Sequence, residues 1–374
     1  MNMVRITQFH DYHSTHAKMT EFAGYEMPLW YSTTTDEHMA VCNDSGIFDV
    51  SHMGRLLING EAAASFIEGL VPTQVKKQPA GRAFYTLLLN DRAGIIDDLV
   101  ILRLDETQLM LVVNAANATV DMEHLSSHDP PESVLIRDLT DSSAMIAVQG
   151  PTAQQTLQRF TDTDLSQLKR FHCSTADTFG QRSIISRTGY TGEDGFEVII
   201  LGASTDSPGK AVEFWKRLAE VSKPCGLGAR DSLRLEAGFP LHGSDIDQRT
   251  DPLQADLAWV ISSGKTDYVG SKALEELQSE PTEVIRRGVV VDEGIPRHGF
   301  NVLGASDEAG TVTSGTYSPV LRKGIALCRL KPAGTEPGAA VRVVIRGSVQ
   351  RGHTVKTPFY DERIYGWKRQ RNSK

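Results

Sequence analysis

Cysteine is scarce: the 374 residues hold four, Cys42, Cys173, Cys225 and Cys328, all far apart and none in a Cys-x-x-Cys pair. That excludes a disulfide scaffold and a cysteine zinc site. Long apolar runs are also missing. The longest, such as Tyr85 to Leu89 and Leu109 to Val113, have strand length and fall short of a membrane span. Met1 to Tyr12 carries Arg5, His10 and Asp11 without an apolar h-region, so no secretory signal is expected. Positive charge is the minority sign, 39 Lys plus Arg against 47 Asp plus Glu, for a net charge of -8. A dedicated nucleic-acid binder would normally show a basic stripe. The one basic cluster, Lys368 to Lys374, reads as a frayed tail. The expectation is a soluble cytoplasmic protein with neither nucleic acid nor membrane as partner.

Several chemical motifs are absent as well. Ser263-Gly264-Lys265-Thr266 resembles the end of a phosphate loop, but Trp259 stands where that loop requires Gly. Gly226-Leu227-Gly228 is followed by Asp231 where the dinucleotide fingerprint needs its third Gly. There is no Gly-x-Ser-x-Gly elbow of the serine hydrolases. His10, His13 and His16 recur every third residue, yet near a terminus they read as scattered surface histidines rather than metal ligands.

What is present is an ordinary globular composition, 40% hydrophobic and 23% charged. At roughly 150 residues per domain the length allows two or three domains. Asp36 is placed to cap a helix running towards Cys42. Strands are expected at Phe84 to Leu89, Ile95 to Leu104 and Leu109 to Val113, with a helix at Thr119 to Ser126. Residues 55 to 138 thus read as an inserted α+β unit. Val212, Trp215, Leu218 and Val221 form the buried stripe of an amphipathic helix. Beyond residue 280, short β runs separated by Gly and Pro predict an all-β barrel or sandwich.

Three charged residues lack an inexpensive structural explanation. Asp97 and Asp98 are neighbours in a strand, so they point to opposite faces and cannot act as a proton-sharing dyad. One of them is then a carboxylate amid apolar residues, structural or poised for acid–base work. Glu197 follows a Gly-rich turn, Thr188 to Gly195, and precedes Val198-Ile199-Ile200-Leu201. Its two oxygens suit a ligand with parallel N–H donors, such as the 2-aminopyrimidinone edge of a pterin. The alternative is a carboxylate on the solvent face of its strand. Arg230 opens a helix, where a cation opposes the helix dipole and so calls for a reason.

The segments Phe22 to Pro28, Phe48 to Gly54, Asp97-Asp98-Leu99, Val112 to Ala116, Arg187 to Glu197 and Cys225 to Asp231 occur in that order. Together with Thr313-Ser314-Gly315, Ser318-Pro319 and Pro358-Phe359-Tyr360 they resemble the aminomethyltransferase (T-protein) family of the glycine cleavage system over nearly the whole chain. The resemblance implies an α+β, three-domain folate-binding cloverleaf with a C-terminal barrel. Residues 1–54 and 139–250 would form a discontinuous first domain, 55–138 a second, and 251–374 a linker plus the barrel. It implies tetrahydrofolate as co-substrate, the lipoylated H protein as partner, and no metal. Asp98 matches the family's acidic residue near the folate nitrogens, Glu197 its pterin-gripping carboxylate, and Arg230 its substrate-binding arginine. Tyr190, Asn114 and Met53 match positions lining the pocket. Tyr25, Ala93 and His242 depart from the more frequent Trp, Gly and Tyr, and Tyr360 or Arg363 is the candidate C-terminal contact. A tetrahydrofolate-dependent demethylase is the alternative within the fold. A non-catalytic folate-binding factor for iron–sulfur assembly would carry a Lys-Gly-Cys-Tyr motif, which this sequence lacks.

Overall fold

Two sheets carry the candidate residues in the computed structural model, which describes residues 4–305 and 308–370. The basic tail beyond residue 370 lies outside the described residues. The chain divides into two compact units, one reaching to Leu88 and resuming at Asp97–Arg230, the other made of Leu89–Ile96 and the chain from Asp231 onward.

In the first unit, a six-stranded sheet brings Gly195–Leu201 between Gln181–Ser186 and Ser143–Gln149. Its apolar residues form a core with the helix Ala211–Ala219. Phe214, Trp215 and Leu218 of that helix are buried, and Trp215 stacks on Phe9 with ring centroids 5.2 Å apart. A five-stranded sheet orders Ala83–Leu89, Ile95–Arg103, Gln108–Val113, Gly54–Asn59 and Leu135–Asp138. All its strands come from one continuous stretch, so the chain leaves the first sheet at Asp49 and re-enters it at Ser143.

Two local expectations change. The helix over the Asp36 region runs Thr34–Asn43, and its cap is Thr33, whose hydroxyl accepts the Asp36 N–H at 3.1 Å. Asp36 lies in the first turn, where its charge complements the helix dipole instead. His13 is also no surface histidine. It is fully buried, with Nε2 3.0 Å from Asp49 Oδ2 and Nδ1 2.7 Å from the Tyr31 hydroxyl. Burial pushes the Asp49 carboxyl up. The hydrogen bond and charge of His13, with donors from Thr7 and Ser51, outweigh that and hold it below its ordinary value.

The second unit contains a closed barrel of six strands, from Ile285–Val291 to Ser348–Val355. Valines alternate inward along them, with Val289, Val291, Val302 and Val343 at zero exposure. The last strand, Ser348–Val355, is polar and only one of its residues is buried, which is why apolar patterning alone does not reveal it. At the turn joining two strands, Asn90 Oδ1 accepts the N–H groups of Arg92 and Gly94, and Ala93 sits at φ 63°. A positive φ strains a residue with a Cβ, and glycine would adopt it at less cost. Among the described residues, no helix is long and apolar enough to cross a membrane.

Candidate active site

The six residues singled out from the sequence are all half-buried, the exposure expected of groups that meet a ligand. They fall into two groups. The first gathers at one end of the five-stranded sheet. Gly54 pairs with Val113 there, and Val100 pairs with Val112, so Met53 and Asn114 lie just beyond their strand ends while Asp98, inside Ile95–Arg103, lies two residues before Val100. Gly54 has no room for a Cβ, which would fall 2.4 Å from the Val113 side chain and 2.9 Å from Ala118. Only glycine brings these elements so close.

Asp98 projects from the strand with both oxygens engaged. Tyr85 donates its hydroxyl to Oδ2 at 3.0 Å, and Asn114 Nδ2 donates to Oδ1 at 2.9 Å. The same Asn114 amide reaches Asp97 Oδ1 at 2.8 Å, while the Asn114 backbone N–H binds Asp97 Oδ2 at 2.9 Å. Asp97 is fully buried and also accepts Asn117 Nδ2 at 2.6 Å. The alternation along the strand holds: Asp97 faces the interior and Asp98 is the accessible carboxylate. Asn114 ties them together from the neighbouring strand, which spacing within one strand does not show.

The second group surrounds the Gly-rich turn. Gln149 is buried inside this loop. It donates to the Thr188 carbonyl at 3.1 Å and accepts the Thr191 hydroxyl at 2.8 Å. A Cβ on Gly189 would fall 2.0 Å from Gln149, so the glycine is what lets the turn wrap the amide. Arg187 clamps Asp194 through two hydrogen bonds, 2.9 and 2.5 Å, closing the loop at its base. Glu197 then emerges with Oε2 receiving the Thr188 hydroxyl at 2.5 Å, while Oε1 has no hydrogen-bond partner among the described residues. The Arg230 guanidinium lies 5.0 Å above the Tyr190 ring and feels the Glu197 charge. Its Nη1 is buried and unpartnered. Burial lowers its affinity for the proton, and Glu197 and Tyr190 work in the opposite direction. Gly226 and Gly228 place the helix Leu227–Ala237 against the Pro28–Leu29 backbone and Thr34, where a Cβ on either would come within 2.5 Å of an atom.

His52 lies within the Phe48 to Gly54 segment, next to the site. It is buried beside Met53, edge-on to Phe22 and Tyr25, with Nδ1 unpartnered. Burial, reinforced by the Arg230 charge, lowers its pKa from 6.5 to about 3. As the pH falls through 6.5, the unfolded chain therefore gains a proton that the folded chain refuses, and stability is lost down to about 3. His52→Gln should flatten this part of the stability-versus-pH curve. Equal slopes for wild type and variant in urea titrations would show that His52 is not the refusing group.

No cluster of three metal-ligating side chains occurs among the described residues. Of the C-terminal candidates, Arg363 pairs with Asp361, and Tyr360 lies edge-on to Tyr365.

An α+β body bearing this acid-rich strand end, followed by a six-stranded barrel, has known counterparts. Residues 9–265 match the GCVT N-terminal domain, and residues 286–361 match the glycine cleavage T-protein C-terminal barrel domain. Aminomethyltransferases from Thermotoga neapolitana and Thermus thermophilus are each 40% identical, covering 92% of this chain and 94% and 95% of their own. The crystal structure of glycine cleavage system aminomethyltransferase T from Bartonella henselae superposes with a TM-score of 0.88 at 32% identity, over 96% of this chain and 98% of that one. The class is thus a group-transfer enzyme of the aminomethyltransferase type. The chain belongs to the glycine cleavage T-protein family.

Proposed function

We propose that the protein moves the methylene of an aminomethyl group, carried on the lipoyl arm of H protein, to tetrahydrofolate. Ammonia and dihydrolipoyl H protein are the other products. The carbon loses its bonds to sulfur and to the amine nitrogen and gains two to folate nitrogens, so no external oxidant or reductant is required. Tetrahydrofolate supplies the two nucleophilic nitrogens. The observation that carries this reading is Asp98, an accessible carboxylate fixed by Tyr85 and Asn114. Such a group offers a preorganised negative charge to the cation that develops as ammonia departs. Glu197, with one oxygen unpartnered, fits the paired N–H donors of a pterin, and the buried Nη1 of Arg230 fits an acceptor on the same ligand. Tyr190 under Arg230 adds a flat apolar surface, and Met53 lines the approach.

In the same reading, residues 1–54 with 139–250 form one domain, 55–138 a second, and 251–374 the linker and barrel. Four free thiols, all buried, suit a cytoplasmic enzyme.

The test is turnover. Aminomethylated H protein and tetrahydrofolate should give methylene-tetrahydrofolate and ammonia in equal amounts. Absence of turnover, with activity on a methylated small molecule instead, would establish a demethylase.

A further inference from the structure

We propose that Asp121 is a positioning residue that keeps a proton and, by donating it to Asp97, fixes the Asn114 amide that orients the Asp98 carboxylate. Asp121 lies on the helix Ala118–Ser127, one turn beyond Asn117, with no exposed surface. Among the described residues, none donates an N–H or O–H to either of its oxygens. The carboxyl beside it is that of Asp97, and the charges it feels are those of Asp97 and Asp98.

Two ionised carboxylates cannot face each other in a buried site without a donor between them, because their repulsion is barely screened there. One proton therefore belongs to the pair. The count of donors decides which partner owns it. Asp97 already accepts three N–H groups, two from Asn114 and one from Asn117. Asp121 accepts none, so the acid O–H sits on Asp121 and points at Asp97. Burial, then the Asp97 charge, raises the Asp121 pKa well above the ordinary carboxyl range, in keeping with that assignment. The sequence reading denied Asp97 a proton-sharing partner in Asp98. The structure supplies one from a helix instead.

The consequence runs outward through one amide. Asn114 Nδ2 bridges Asp97 Oδ1, Asp98 Oδ1 and the Asp98 carbonyl at 2.8, 2.9 and 3.0 Å. Its orientation depends on Asp97 keeping one rotamer. The Asp121 O–H adds a contact on Asp97 from a side chain other than the two asparagines. This inference rests on the role proposed above for Asp98, but its first test does not.

Infrared spectra of the unliganded protein at about pH 8, where exposed carboxyls are ionised, should show a protonated-carboxyl C=O band that shifts in D2O and disappears in Asp121→Asn. No such band in the wild-type protein overturns the proposal, whether or not any variant folds. In turnover assays, Asp121→Leu should lower kcat about tenfold with the KM for tetrahydrofolate little changed, as a misplaced catalytic group would. Asp121→Asn restores a neutral donor and should recover most of that loss. If Asn proves as damaging as Leu, Asp121 acts through shape rather than its proton, and the proposal fails. A wild-type rate for Asp98→Asn would instead remove the role of Asp98 and leave the infrared band in place.

Discussion

Asp98→Asn should fold, bind tetrahydrofolate as the wild type does, and turn over roughly 10²–10³-fold more slowly. Folding is expected to survive because the amide replaces the carboxylate atom for atom. Its oxygen can accept the Asn114 amide, and the Tyr85 hydroxyl, which donates to Oδ2 in the native protein, can turn to accept from the new NH2. What is lost is the negative charge facing the developing cation. That charge acts mainly in the transition state, so the deficit should appear in kcat and leave the folate dissociation constant nearly unchanged. Single-turnover measurement of methylene-tetrahydrofolate formation, beside equilibrium folate titration, separates the two. A variant with the wild-type rate would show that Asp98 performs no chemistry.

Glu197→Ala is expected to act in the opposite sense. Among the described residues the carboxylate uses one oxygen, on the Thr188 hydroxyl. Thr188 has a second partner in Ser186, 2.7 Å away, so its hydroxyl is not stranded by the change. The fold should therefore tolerate the substitution. Hydrogen bonds to a charged acceptor are worth about 1.5–3 kcal/mol, which predicts a dissociation constant for tetrahydrofolate raised roughly 10- to 100-fold. Turnover at saturating folate should change much less. Isothermal titration decides it, and an unchanged dissociation constant would remove Glu197 from the binding surface.

The two variants dissect a site that was unevenly legible in the sequence. Asp98 and Glu197 stood out because a carboxylate among valines, isoleucines and leucines costs free energy unless something repays it. Arg230 stood out because it opens a helix with the wrong sign of charge. The glycines around them carried a further signal, since the structure shows Gly54, Gly189, Gly226 and Gly228 each pressed against atoms that leave no space for a Cβ. Asp121 gave no such signal. An aspartate one turn after Asn117 on a short helix looks solvated, and only the packing of that helix over Asp97 turns it into a buried acid. His13 misled for the same reason. Its spacing with His10 and His16 suggested an exposed cluster, whereas its neighbours in space are Asp49 and Tyr31.

Scarcity of cysteine by itself set aside a disulfide scaffold and a cysteine zinc site. The order of its motifs determined its family, because each motif is a local run of residues that survives being read one dimension at a time. Tertiary structure alone decided which side chains share protons and donors. Asp97 with Asp121, Gln149 within the turn and His52 beside the Arg230 charge are contacts between residues far apart in the chain. Their protonation follows from burial and neighbouring charge, and both exist only once the chain has folded.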